Sequence, residues 1–493
     1  MSHMSQKTLA IVAAAAFATA TPLALAPATA QVAATAAAGV DIAAPASLTI
    51  DKRIGEVGPA APTATETFDF TVERINLTNN LDTAAGWDEV QAIIAGTQTP
   101  TVASTTTITT DAVSGQGTAN LPVGLYRVTE VQNGNYTVAA PFYVTLPLTE
   151  SGGTINYNPT ISPKNQELNP TKAADDTNVG VGDAITYTIK APVPVGDAFR
   201  DGTRSISQFR IEDPLMAELA YVADSAEVTL LNAGGATLAP ADYTVTPGAN
   251  NTLIVDFTEA GRAKLAELRA TNPGLTAQVV FDATVLQIPA NGELRNEANV
   301  YIPNAEDPIK TTPEDPTQQN GDNGATSTQY VNVAITKTLD GADSADAAGA
   351  EFNVVACTAD GNGRYTIDAD STPLVSTNPE GTQKVTGPIA TVATGQAAIA
   401  TGYGMQFTRE QDYCAVETKA PAGYLINPDP TPLNLSTPNA DGRPVYTATV
   451  NNVKDNLFGR LPATGETTML ALLALGLVLF AGGAAYQLRR KNA

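Results

Sequence analysis

Val331-Asn-Val-Ala-Ile-Thr-Lys337 alternates apolar and polar residues, and its apolar series, Val331, Val333 and Ile335, ends on a lysine. Alternation with a period of two puts these residues on one face of an extended strand, so Lys337 points to the apolar side. Leu48-Thr-Ile-Asp-Lys52 repeats the device, with Leu48 and Ile50 followed by Lys52. Each strand is followed later by Tyr-x-apolar-x-Glu: Tyr126, Val128 and Glu130 in one case, Tyr413, Ala415 and Glu417 in the other. Parity turns both glutamates inward. The rest of the chain consists of short Thr-, Val- and Ala-rich runs broken by Gly and Pro, the signature of an all-β protein of sandwich type.

A lone lysine or glutamate in an apolar core is costly. Burial lowers the amine pKa and raises the carboxyl pKa, so both groups move towards neutrality. A neutral amine is a nucleophile, and a protonated carboxyl can polarise a carbonyl by hydrogen bonding. With an asparagine carboxamide as electrophile, such a set forms a Lys–Asn amide and releases ammonia. Parity alone favours plainer readings, in which these residues form buried salt bridges or the lysines face outward in another register.

The chain has 493 residues, with 27 Lys and Arg against 50 Asp and Glu, a formal charge of −23. That balance argues against nucleic acid or an anionic membrane surface as partner. The single histidine, His3, lies in the first residues, which removes Ser-His-Asp and Cys-His nucleophile systems from the mature chain. With two cysteines besides, an ordinary zinc site cannot be built. No cofactor is expected. A Ca²⁺ site using Asp340, Asp343 and Asp346 stays open beside the alternative of a solvated acidic loop. Trp87 and a helix-like stretch at 86–95 could form a ligand surface, but the stripe of Val90, Ile93 and Ile94 reads equally as a helix covering a core.

Leu461-Pro462-Ala463-Thr464-Gly465 is followed by an apolar run from Thr467 to about Ala485 and then by Arg489-Arg490-Lys491. The run is long enough to stop transfer through a bilayer, with the basic end on the cytoplasmic side. Lys7, an apolar stretch from Leu9 to Ala26, and Ala28-Thr29-Ala30 before Gln31 read as a secretory signal peptide over 1–30. The C-terminal series resembles the sorting signal of Gram-positive surface proteins, in which a sortase cuts between Thr464 and Gly465. Proline-rich joints at 159–170 and 303–323 divide the remaining chain, and the second reads as an extended linker.

Tyr413-Cys-Ala-Val-Glu417-Thr-Lys-Ala-Pro-Ala-Gly-Tyr424 closely resembles the E-box of Gram-positive pilins, and Tyr157-Asn-Pro-Thr-Ile-Ser-Pro163-Lys164-Asn165 resembles their pilin motif. The latter departs from the usual pattern, with Ser162 where Tyr is customary and no upstream Trp. With the sorting signal, these motifs make the chain similar to a major shaft pilin of the SpaA type. The resemblance implies three tandem immunoglobulin-like (Cna-type) β-sandwich domains in an elongated array: 31–166 ending in the pilin motif, 167–325 with its linker, and 326–455 with the E-box, followed by the sorting region 456–493. It implies internal cross-links Lys52–Asn165, Lys172–Asn296 and Lys337–Asn452, promoted by Glu130, Asp213 and Glu417. Lys190 rivals Lys172, because it lies in the clear strand at 185–189. It also makes Lys164 the sortase acceptor, whose amine attacks the Thr464 carbonyl of another copy, while Asn165 points the other way into the core.

The implied protein is a structural subunit of a covalent, wall-anchored fimbria that supports adhesion, and not an enzyme, since its Lys/Asn/acid sets act once on their own chain. Its partners would be a sortase, identical subunits, minor pilins, cell-wall peptidoglycan and host surface receptors. The alternative is a monomeric wall-anchored adhesin or a tip or base pilin, which would have no need of Lys164. Cys357 and Cys414, an even count in an exported chain, are expected to form a disulfide. Both have parity opposite to the core face, which predicts a surface staple between neighbouring strands.

Overall fold

The computed structural model describes residues 39–55, 61–150, 153–199, 203–319 and 324–455. The expected signal peptide at 1–30 and the sorting region, including Leu461, Pro462, Ala463, Thr464 and Gly465, lie outside the described residues. Two compact units divide the chain. One runs to Asp176 and continues through Asp183–Leu286 and Leu294–Thr328; the other holds Thr177–Gly182, Gln287–Glu293 and the chain from Gln329.

The larger sheets of the first unit fall into two pairs. In the first pair, a four-stranded antiparallel sheet runs in the order Val102–Thr109, Asp69–Ile75, Gly124–Glu130, Phe142–Leu146. Its companion has Ser47–Asp51 between Thr160–Ile161, which is parallel to it, and Gln116–Asn120, which is antiparallel. Leu48, Ile50, Phe70, Val72, Leu125, Val128 and Ile161 from both sheets form one buried cluster. The helix Ala84–Ile94 closes against that cluster, capped by Thr83, whose hydroxyl accepts from the Gly86 amide at 3.2 Å. Val90 and Ile93 are buried in the cluster and Ile94 and Trp87 pack beside it, so the apolar stripe covers the core.

The second pair sets Thr171–Asp175, Ala184–Pro192 and Thr276–Val285 side by side, with Thr312–Pro313 parallel to the first of them. Thr276–Val285 alternates buried and half-buried residues without interruption, as period two demands. The other sheet carries Arg210–Pro214 between Thr252–Phe257 and Asn299–Tyr301. The helix Glu259–Thr271 is not foreseen in the sequence reading: only Gly261, Leu265, Ala266 and Arg269 are buried along it, too sparse an apolar stripe to stand out.

In the second unit, Thr326–Leu339 is the central strand, antiparallel to Ala397–Phe407 and parallel to Val445–Asn452. Glu351–Ala359 pairs with Tyr413–Lys419, and Ile389–Thr394 bridges the two groups by pairing with both Glu351–Ala359 and Ala397–Phe407. Val331, Val333, Ile335, Phe352, Val354, Ala415 and Val450 form the core.

Cys357 and Cys414 are joined, with Cα atoms 5.9 Å apart on the neighbouring strands Glu351–Ala359 and Tyr413–Lys419. The expected surface position is wrong, however, because both residues are fully buried. Parity does set them opposite Phe352, Val354 and Ala415, but Cys357 has Ile367 beside it and Cys414 has Pro432, so each sits inside the sheet rather than at its open edge.

Candidate cross-linking sites and candidate acceptor lysine

Among the described residues three lysines are fully buried, Lys52, Lys172 and Lys337, and each lies at or next to the opening strand of a sheet pair. In each case the alternation that buries two aliphatic neighbours buries the lysine as well.

At the third site, strand pairing sets Lys337 opposite Val450 and Leu339 opposite Asn452. Lys337 Nζ donates to the Val450 carbonyl at 2.9 Å and to Asn452 Oδ1 at 2.5 Å. Asn452 Nδ2 donates to Glu417 Oε1 at 2.9 Å, and the same oxygen is 3.4 Å from Lys337 Nζ. The second carboxylate oxygen of Glu417 accepts from the Asn427 amide at 2.6 Å. Burial pushes the Lys337 amine below its ordinary pKa, and the Glu417 charge opposes that shift.

The first site repeats this arrangement. Lys52 Nζ donates to Glu130 Oε1 at 2.6 Å, and Asn165 Nδ2 donates to the same oxygen at 2.8 Å. Glu130 Oε2 accepts from the Ala139 amide at 2.8 Å. Asn165 Oδ1 is buried without a hydrogen bond. The Phe68 and Phe70 rings lie 5.0 and 5.7 Å from Nζ. Burial lowers the Lys52 pKa here too, against the pull of Glu130.

At the middle site Lys172 Nζ is paired with Asp213 Oδ2 and lies 4.7 Å from the Tyr187 ring centroid. Burial, only partly offset by Asp213, brings the Lys172 pKa down to about 8. Asn296 is buried, with neither its oxygen nor its nitrogen hydrogen-bonded, and Asp213 Oδ1 is likewise unmatched. Lys190 takes no part: it sits on the other face of its strand, half-exposed, and pairs with Glu314 at 2.5 Å.

Lys164 lies on Lys164–Asn165, a short strand parallel to Arg53–Ile54. Lys164 is exposed and Asn165 is buried, as adjacent strand residues must be. The features that sequence reading missed are the backbone amides of Ala139 and Asn427 that anchor the two glutamates, since no side-chain pattern announces them. Among the described residues no group of three acidic, Cys or His side chains is placed to hold a metal, and Asp340, Asp343 and Asp346 are not drawn together as one.

Residues 63–166 match the Gram-positive pilin subunit D1, N-terminal domain, and residues 459–493 match the LPXTG cell wall anchor motif. The chain is 30% identical to the fimbrial subunit type 1 of Actinomyces viscosus over 461 residues, covering 86% of this chain and 84% of that one. It is also 30% identical to the fimbrial subunit type 2 of Actinomyces naeslundii, covering 92% of each. Its fold is similar to that of the full-length major pilin SpaD from Corynebacterium diphtheriae, with a TM-score of 0.56 and 23% identity over 85% of this chain and 99% of that one. The chain belongs to the fimbrial subunits of Gram-positive bacteria, structural proteins of surface fimbriae anchored in the cell wall through an LPXTG signal.

Proposed function

We propose that this subunit builds the fimbrial shaft, joined head-to-tail by a sortase that links Thr464 of one copy to Lys164 of the next. The fibre is finally attached to peptidoglycan and carries minor pilins. Each of three modules, 31–166, 167–325 and 326–455, is locked by an internal amide: Lys52–Asn165, Lys172–Asn296 and Lys337–Asn452. In each lock the neutral amine attacks the asparagine Cγ, forming a C–N bond. Glu130, Asp213 or Glu417 accepts a proton from the amine and returns it to the departing nitrogen, which leaves as ammonia. The reaction happens once per bond and no cofactor takes part.

The observation that carries this reading is the third site: amine, carboxyl and carboxamide within hydrogen-bond reach of one another, all three closed to solvent. A salt bridge alone would need no buried asparagine between its partners, yet the first site repeats the same trio.

The intact mass of a secreted 31–455 fragment tests the internal bonds, because each formed bond removes one ammonia. A boiled denaturing blot of cell-wall extracts tests the shaft. A ladder in the parent that collapses to one band in Lys164→Arg is expected. A single wall-linked band in both strains would instead make the protein a monomeric adhesin.

A further inference from the structure

Lys164 is exposed, and it is one of the residues lining a cleft of about 290 Å³ in the first unit, together with Thr137, Gln166, Asp197 and Arg204. Among the described residues that line the cleft, Asp197 is the only carboxylate. It sits on the hairpin of Asp197–Ala198 with Arg204–Ser205, beside Gly196. Gly196 has φ +77°, and a Cβ there would come within 2.4 Å of the Ser205 carbonyl oxygen, so the turn that presents Asp197 requires glycine. Asn304 Nδ2 donates to both Asp197 oxygens, at 3.0 and 3.2 Å, and also to the Val138 carbonyl at 3.2 Å. The carboxylate is therefore held in one orientation on the wall of the cleft that receives the acceptor lysine.

Amide formation from a thioester needs a neutral amine, and an ordinary lysine is almost entirely protonated near neutral pH. We propose that Asp197 is the residue that orients Lys164 in this cleft and takes its proton during fibre assembly. This rests on Lys164 being the acceptor. The ammonium passes one proton to Asp197. The resulting amine adds to the Thr464 carbonyl carbon of another copy, held as a thioester on the sortase cysteine. The C–N bond forms, the C–S bond breaks, and the thiolate leaves with the proton that the nitrogen loses.

Burial holds Asp197 above its usual carboxylate pKa, against the opposing pull of Asn304, the Ala140 backbone and the Arg204 charge. That raises its proton affinity, which suits a proton acceptor. Arg204 and Lys164 are the charged groups lining the same cleft, and Arg204 Nη1 is engaged by the Gly196 carbonyl at 3.0 Å.

The test is a blot of cell-wall extracts from cells producing the full chain as parent, Asp197→Asn, Asp197→Glu or Lys164→Arg, across a series from mildly acidic to mildly basic medium. The ratio of fibre ladder to wall-linked monomer reports acceptor chemistry, because the monomer still requires export, folding and recognition of the sorting signal. Asp197→Asn is expected to lower that ratio by at least about tenfold at the acidic end. The deficit should shrink as the medium becomes more basic and base from solution takes the proton in place of Asp197, and Asp197→Glu should restore most of the ladder. A parental ratio in Asp197→Asn throughout, or a deficit that ignores pH and is not relieved by glutamate, overturns the proposal. A ladder that survives Lys164→Arg instead overturns the acceptor reading beneath it, and the two failures are thereby told apart.

Discussion

Glu417 shows how much depends on one oxygen atom: its Oε1 lies within 3.4 Å of the Lys337 amine and accepts from Asn452 at 2.9 Å. Glu417→Ala removes the proposed proton carrier and leaves a buried amine facing the Val450 and Asn452 oxygens. The mutant is expected to retain one more ammonia than the parent by intact mass. Breaking a buried charged pair from one side costs roughly 3–5 kcal/mol, so its third module should also melt well below the parent's. The middle site yields a pH prediction. In Asn296→Ala the bond cannot form and Lys172 remains an amine with its pKa held near about 8, below the ordinary value of 10.5 in the unfolded chain. Between those values the unfolded state binds more protons, so stability rises with pH. Below about 8 both states are protonated and the full burial penalty is present. As pH climbs from about 8 towards 10.5, the variant should gain stability of order 1–3 kcal/mol, while a parent whose amine is consumed by the proposed cross-link should not. Thermal melts of both proteins over that window measure the difference.

Strands carried most of what the sequence could disclose. Alternation at Leu48, Ile50 and Lys52, and at Val331, Val333, Ile335 and Lys337, sets burial directly, because successive side chains on a strand have only two directions to choose between. The same rule separates Lys172 from Lys190 only once the register is known: Ile185, Tyr187 and Ile189 face inward, which sends Lys190 to the other side. Elements whose burial depends on what lies over them were not legible. The helix Glu259–Thr271 offers few apolar residues, and the cysteine face, rightly opposed to the core, turns out to be covered. That cover bears on the disulfide, which spans 57 residues between the strands Glu351–Ala359 and Tyr413–Lys419. Replacing both cysteines by alanine frees a loop worth about 4 kcal/mol in the chain-entropy description. Where Lys337–Asn452 has already closed the larger loop, part of that constraint persists. The double variant should therefore lose less in the parental background than in Glu417→Ala, and denaturant titrations of the four proteins read the coupling.

Along the chain, the opening strands Ser47–Asp51, Thr171–Asp175 and Thr326–Leu339 each run parallel to a strand near the end of the same segment: Thr160–Ile161, Thr312–Pro313 and Val445–Asn452. Chain entering one end of such a pair leaves at the other, so tension between the termini shears the two strands past each other. Hydrogen bonds and packing hold a fold by only about 5–15 kcal/mol, which sustained tension can overcome. A Lys–Asn amide across the pair removes the enclosed chain from the path of the force. The third site makes the prediction quantitative, since Lys337 and Asn452 are 115 positions apart. At about 3.3–3.6 Å per extended residue, the enclosed chain would lengthen a pulled molecule by about 400 Å. The disulfide encloses 57 of those positions, so while it holds, roughly half of that length is withheld. Single-molecule pulling should therefore show no third-module step in the parent. Glu417→Ala should give a step of about 200 Å without reductant and about 400 Å with it. A parental molecule that extends by the full length would mean that Lys337 and Asn452 remain unbonded and that the module resists tension by packing alone.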